Sequence, residues 1–144
     1  MDNLKIDFMT LDDFYKIEPI YSSDFDDFWK PINLKSELEN INSKYIVAKL
    51  NGKIVGFAGI WFSVDDVHIT NIVVHKDFRH QGIGSKLLEE LINLSNKKAS
   101  LTLEVNTKNT NAQKLYLKYG FKNLGIRKKY YNGIEDAYIM TLYF

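Results

Sequence analysis

Asn71-Ile72-Val73-Val74-His75-Lys76-Asp77-Phe78-Arg79-His80-Gln81-Gly82-Ile83-Gly84-Ser85-Lys86-Leu87-Leu88-Glu89-Glu90-Leu91-Ile92-Asn93-Leu94 is the stretch on which the fold of this chain turns. Ile72-Val73-Val74 is a short β-branched run bounded by polar residues, which reads as a buried strand. A polar, basic turn follows, then Gly82 and Gly84 spaced by one residue. From Ile83 onward Leu87, Leu88, Leu91 and Leu94 recur at helical spacing. The two glycines therefore sit where a strand ends and a helix begins. A helix start carries unpaired N–H groups and a positive dipole end, and glycine lets a ligand approach that backbone closely. Such a turn builds an anion site from main chain.

The rest of the chain is read outward from that turn. Leu4-Lys5-Ile6-Asp7-Phe8-Met9 alternates as a strand with one buried face. Thr10-Leu11-Asp12-Asp13 has the form of a capping box, opening a helix whose face is Leu11, Phe14, Ile17 and Tyr21. Asp24 to Pro31 has no period and reads as a loop. Asn33 is placed to cap a short helix carrying Leu34, Leu38 and Ile41. Tyr45–Ala48 and Ile54–Ala58 flank Asn51-Gly52, a strong hairpin signal. Asp65-Asp66 turns the chain into the strand ending at Val74.

Beyond the glycine helix, Lys97-Lys98 suits a helix C-terminus. Leu101-Thr102-Leu103-Glu104-Val105 alternates as a strand with Thr102 and Glu104 on one face. Asn109 or Thr110 starts a further helix with Ala112, Leu115, Tyr116 and Tyr119 on one side, ended by Gly120-Phe121. Two strands, from about Phe121 to Tyr131 and from Ala137 to Tyr143, flank Asn132-Gly133. The order β-α-α-β-β-β-α-β-α-β-β predicts an α/β (α+β) three-layer domain, a mixed sheet of seven strands with helices on both faces. Residues 1–144 form one domain by the length prior.

Composition narrows the chemistry. There is no cysteine, which excludes disulfides, thiolate nucleophiles and cysteine–zinc sites. A net charge of +1 gives no electrostatic case for nucleic acid or a membrane surface. No run approaches the roughly 20 apolar residues of a membrane span, and the N-terminus has no apolar signal core, so a cytoplasmic protein is expected. His68, His75 and His80 lack metal-ligand spacing, and a solvent or turn role is expected for each. The glycine turn is neither a dinucleotide fingerprint, since Leu87 stands at the third glycine, nor a P-loop, since no Gly-Lys-Ser/Thr follows.

Arg79-His80-Gln81-Gly82-Ile83-Gly84, between a strand and a helix, resembles the acetyl-CoA pyrophosphate motif of the Gcn5-related N-acetyltransferase (GNAT) superfamily, and the resemblance spans the chain. It implies that backbone N–H groups of Gln81, Gly82, Ile83, Gly84 and Ser85 hold the pyrophosphate, with Arg79 and His80 also among the cofactor-binding residues. It also implies that a β-bulge at Ile72, Val73 and Val74 offers N–H groups to the pantetheine and the thioester carbonyl. Ser85 stands where many relatives have Arg or Lys. The second half, with Glu104, Asn109, Tyr116, Tyr119-Gly120-Phe121, Gly125 to Tyr131 and Glu135-Asp136-Ala137, is similar to the bacterial ribosomal-protein-alanine N-acetyltransferases. That similarity implies a general base at Glu104, a general acid at Tyr116 and a CoA contact at Asn109. Trp29 matches a loop over the peptide groove, and Tyr130 and Tyr131 are expected to pack the incoming peptide beside Arg127-Lys128-Lys129.

The chemistry of the residues agrees with these roles. An amine must be neutral to attack a thioester, and an α-amine with pKa near 7.7–8.0 is about 10–20% neutral at pH 7. A carboxylate acting through water is an adequate base for it. Glu104 also reads as a solvated strand position, Tyr116 as a core residue, and the basic run as an ordinary charged hairpin. The expected activity is direct transfer of acetyl from acetyl-CoA, as co-substrate and with no metal, to a protein N-terminal α-amine, with a ribosomal protein as the implied partner. Acetylation of a small amine or polyamine, and non-catalytic acyl-CoA sensing, are the alternatives.

Overall fold

The computed structural model describes residues 3–25, 34–95, 99–131 and 133–144. The elements in chain order are β1 (Leu4–Phe8), α1 (Leu11–Ile17), α2 (Leu34–Glu39), β2 (Ser43–Leu50), β3 (Lys53–Phe62) and β4 (Asp66–Val74), followed by α3 (Ile83–Leu94), β5 (Ser100–Asn106), α4 (Thr110–Lys118), β6 (Lys122–Tyr131) and β7 (Glu135–Tyr143). The strands form one mixed seven-stranded sheet in the order β1-β2-β3-β4-β5-β7-β6, antiparallel throughout except for β4 beside β5. The expected three-layer architecture is the one observed.

Each face of the sheet buries its own core. Ile46, Ile69, Ile72, Leu101, Leu103 and Val105 pack with Ile83, Leu87, Leu88 and Leu91 of α3 and Tyr116 of α4. On the other face Tyr45, Val47, Phe57 and Val73 meet Phe14 and Ile17 of α1 and Leu34 of α2. Period-two alternation supplies both faces from the same strands.

Local signals act as their chemistry dictates. Thr10 caps α1 by accepting from the Asp13 N–H, and the Asp13 carboxylate accepts from the Thr10 N–H. Asn51 and Gly52 take φ of 52° and 83°, the left-handed pair a two-residue hairpin requires. At the end of α4 the Phe121 N–H donates to Tyr116 O and the Gly120 N–H to Leu117 O. With Gly120 at φ 94° and the Phe121 ring 5.6 Å from that of Tyr116, this is a Schellman cap with its apolar contact.

Three expectations are corrected. Leu11 is half exposed and α1 stops at Ile17, because Pro19 has no N–H to continue the ladder and Glu18–Ile20 tightens into a 3-10 turn. Tyr21–Phe25, partly assigned to a loop, forms a π-helical turn that buries Phe25. Ile41 is fully exposed, because α2 ends at Glu39 and leaves it in the turn before β2. The rest of the acidic-aromatic loop with Trp29, the capping Asn33, Lys97-Lys98 and Asn132 lie outside the described residues.

The sheet opens between β4 and β5. Their parallel pairing runs from Asp66↔Ser100 to His68↔Thr102, after which the strands part. The cause lies at Thr70. Ile60 pairs Ile69 and Gly59 pairs Asn71, so Thr70 is an extra residue in β4. Such a bulge bends a strand and increases its twist. It sits upstream of the expected position, since Ile72, Val73 and Val74 pair in regular register with Ala58, Phe57 and Gly56. Tyr45 pins it: its ring occupies the space a Gly59 Cβ would fill, and its hydroxyl lies 2.7 Å from Thr70 Oγ1.

Candidate active site

The glycine turn is built by backbone conformations that follow β4. His75 caps the turn Lys76–Phe78 by accepting the Asp77 N–H at Nδ1, and its buried ring lies edge-on to Phe25 and Phe78. Of the solvent or turn role expected for it, the turn role is the observed one. His80 and Gly82 adopt φ of 62° and 84°, and Gly82 is the N-cap of α3 with no side-chain cap. The first bond of the helix is the Lys86 N–H to Gly82 O. The N–H groups of Ile83, Gly84 and Ser85 therefore have no acceptor within the helix. A Cβ on Gly82 would meet nothing within 4 Å, whereas one on Gly84 would touch Leu115 Cδ2 at 3.7 Å and Val74 Cγ2 at 3.9 Å. This is an open backbone cradle suited to an anion.

A groove of about 350 Å³ runs from that cradle along α4 to the opening of the sheet. Ile72, Val74, Arg79, His80, Gly82, Ile83, Gly84, Ser85 and Asn109, all expected from the sequence to bind the cofactor, line it. Val73 and Gln81 do not. The Val73 side chain alternates to the other face and joins the core against α1, and Gln81 is exposed on the turn. Phe78, Asn111, Ala112 and Leu115 also line the groove and were not anticipated as a set. Their signal was available, because 111, 112, 115 and 116 share one helical face.

Backbone direction adds to the groove. The His75 N–H donates to Val55 O on β3, so alternation turns the peptide groups of Ile72 and Val74 toward the unpaired β5 side. Arg79 Nε donates to Val74 O at 3.1 Å, folding the turn back on the strand end. Asn109 caps α4 by accepting the Ala112 N–H at Oδ1, and Gln113 donates to the carbonyls of Asn106 and Thr107. The far wall is thereby fixed.

Glu104 lies on the other face of the sheet. Leu103 and Val105 enter the core under α3, so Glu104 points the opposite way, where its side chain is 16% exposed. Arg127 Nε is 3.5 Å from its Oε1, and the Arg127 guanidinium lies 5.8 Å from the Tyr130 ring centre. A second irregularity makes this approach possible. Arg127 pairs Ala137 and Tyr131 pairs Glu135, so residues 128–130 all oppose Asp136. Lys129 adopts φ 54°, and Asp136 holds the excursion by accepting the Lys129 N–H at 2.8 Å and lying 3.5 Å from Lys128 Nζ. The Lys129 N–H, before the nearby cations, holds the Asp136 carboxyl below its usual range.

The two tyrosines differ. Tyr130 is half-buried, whereas Tyr131 is buried with its hydroxyl donating to Glu104 O at 3.1 Å. Tyr131 thus braces the Glu104 backbone and offers little surface to a peptide, because the excursion before it turns its ring into the sheet. Burial first, and the Glu104 charge in addition, push both phenols above their ordinary pKa, so both stay neutral.

Tyr116 reaches the site from the groove side, its ring packed on Phe121. Glu104 and Tyr116 thus flank the β4–β5 opening from opposite faces of the sheet. Trp29 lies outside the described residues. Among those residues no cluster of three or more His, Asp or Glu could hold a metal ion, and no helix is long and apolar enough to cross a membrane.

Residues 11–121 match the family model described as the acetyltransferase (GNAT) family. A relative from Bacillus subtilis (strain 168) is 39% identical over 137 residues, covering 92% of this chain and 90% of its own length. The ribosomal protein bS18-alanine N-acetyltransferase of Escherichia coli (strain K12) is 39% identical over 119 residues, covering 78% of this chain and 80% of its own. Among solved structures, the ribosomal-protein-S18-alanine N-acetyltransferase from Escherichia coli superposes with a TM-score of 0.84 at 31% identity, covering 97% of this chain and 93% of that one.

Proposed function

This chain belongs to the acetyltransferase (GNAT) family and is an acetyl-CoA-dependent N-acetyltransferase, and from that premise we propose that its acceptor is the N-terminal α-amine of a protein, a ribosomal protein beginning with alanine. Acetyl-CoA supplies an activated acyl thioester. The cradle fits its pyrophosphate: three helix-start N–H groups without helical acceptors, and at Gly82 a space that any side chain would narrow. The Ile72 and Val74 peptide groups, turned toward the opening, are placed to polarise a thioester carbonyl.

One observation carries the proposal. The groove and Glu104 lie on opposite faces of the sheet, both beyond the last β4–β5 pair. Donor and acceptor enter from different sides and meet in the opening, as direct attack requires. Glu104 accepts the proton of the attacking amine, and the hydroxyl of Tyr116 protonates the departing sulfur. Tyr130 packs the peptide main chain, with the Tyr131 brace on that side. The chain carries no cysteine to serve as an acyl carrier.

On the same reading residues 1–144 are one catalytic domain working in the cytoplasm, where ribosomal proteins are made. Acetyl-CoA is incubated with the protein and a peptide beginning with alanine, the same peptide with a blocked N-terminus but a free lysine, and a polyamine. Mass spectrometry is expected to find one acetyl group on the first alone. Preferential modification of the polyamine or the lysine would overturn the proposed acceptor.

A further inference from the structure

Asn71 on β4 is buried, and among the described residues neither its Nδ2 nor its Oδ1 has a hydrogen-bond partner. A buried amide with both a donor and an acceptor unmet is uncommon, and the usual occupant of such a place is an ordered water. The position of Asn71 says what that water can reach. Asn71 lies two residues from Val73, so it faces the α1 side of the sheet, as Glu104 does from β5. The last β4–β5 pair is His68↔Thr102. Two residues further along each strand bring Thr70, the bulge, level with Glu104, with Asn71 immediately beside it. Asn71 and Glu104 are therefore on the same face of the sheet, on the two strands that border the opening. Two hydrogen bonds through one water span about 5–6 Å, a distance suited to strands that have just ceased to pair.

We infer that Asn71 holds an ordered water in the β4–β5 opening and that Glu104 takes the acceptor amine's proton through it. This deepens the reading above and rests on it only for the acceptor's being an amine. The amine lone pair forms the N–C bond while the C–S bond breaks. The amine proton passes to the water, which gives one of its own to the Glu104 carboxylate, and the sulfur receives the Tyr116 proton. Exchange with solvent resets both side chains. Asn71 is then a positioning residue, its donor and acceptor fixing the orientation of the water.

A double-mutant cycle tests the assignment. Asn71→Leu keeps the volume and removes both polar atoms. It is expected to lower kcat by about 10- to 100-fold, less than the roughly 100- to 10,000-fold that a positioned base itself supplies, with the KM of acetyl-CoA unchanged. Added to Glu104→Gln it should cost nothing more, because the water then serves no base. Asn71→Ser, whose hydroxyl can keep a water, should recover part of kcat and replaces Leu in the cycle if that variant does not fold. Additive losses in the double variant, or full activity of the single variants, would overturn the inference. If the wild-type protein acetylates a polyamine and no α-amine, the proposed acceptor fails, and the same cycle run on the polyamine still decides the role of Asn71.

Discussion

Arg127 Nε stands 3.5 Å from Glu104 Oε1 because β6 carries three residues, 128 to 130, opposite the single Asp136. An irregular hairpin thus delivers a cation to the carboxylate of a strand two places away in the sheet order. Arg127 is more than half exposed, and exposed ion pairs are worth about 0.2–1 kcal/mol. Arg127→Ala is therefore expected to change kcat by less than about 5-fold, whereas Glu104→Gln, which removes the base itself, should lower it by about 100-fold or more. Steady-state kinetics with a saturating peptide separates the two. Equal losses would mean that Glu104 matters only through the pair.

Tyr116→Phe keeps the ring on Phe121 and removes the hydroxyl. Its expected effect is a fall in kcat of about 100-fold, with acetyl-CoA binding measured by titration calorimetry close to wild type. A variant with full kcat would reduce Tyr116 to a core residue of α4.

The two glycines of the turn should behave oppositely. Gly82 has a left-handed φ of 84°, so Gly82→Ala adds about 1–2 kcal/mol of backbone strain and a methyl in the cradle. A lower Tm and a weaker Kd for acetyl-CoA are expected together. Gly84 lies inside α3, where an alanine methyl would make only ordinary contacts with Leu115 and Val74. Gly84→Ala should raise stability by about 0.5–1 kcal/mol through helix propensity. Thermal melts with and without acetyl-CoA read both effects.

Asp13 links α1 to the sheet. Its carboxylate accepts from the Thr10 N–H and lies 3.0 Å from Lys49 Nζ on β2. Burial alone would raise its pKa, but the Thr10 and Lys49 contacts hold it below the ordinary 3.8. With the folded value lower than the unfolded one, the unfolded chain binds more protons between the two. The contribution is therefore complete well above pH 3.8 and is lost as pH falls through the folded value. Asp13→Asn should cost about 1–2 kcal/mol at pH 7, with the gap to wild type closing in acid. Denaturant melts across pH 2–7 measure it, and a gap that persists at pH 2 contradicts the assignment.

Much of the site was legible in the chain because its signals are local. The strand, the glycine turn and the α3 stripe occupy 24 consecutive residues from Asn71 to Leu94. The caps at Thr10 and Gly120 and the hairpin at Asn51-Gly52 depend on hydrogen bonds and dihedrals within a few residues. The face of Glu104 followed from alternation alone. Sequence therefore determined which strands and principal helices form and where the anion cradle lies.

Tertiary structure decided the rest. The sheet opens because Tyr45, 25 residues upstream, packs on Gly59 and holds the Thr70 bulge. Tyr131 braces Glu104 across 27 residues of sequence. Arg127 reaches that carboxylate only through the register of β6 on β7 and of β7 on β5. Asn71 is orphaned because its own strand has bulged away from the neighbour that would otherwise lie beside it. Propensity and periodicity act between residues close in sequence. Register, bulges and unmet polar atoms are set by which strands meet and by what fills the space between them, and only the folded chain brings those partners together.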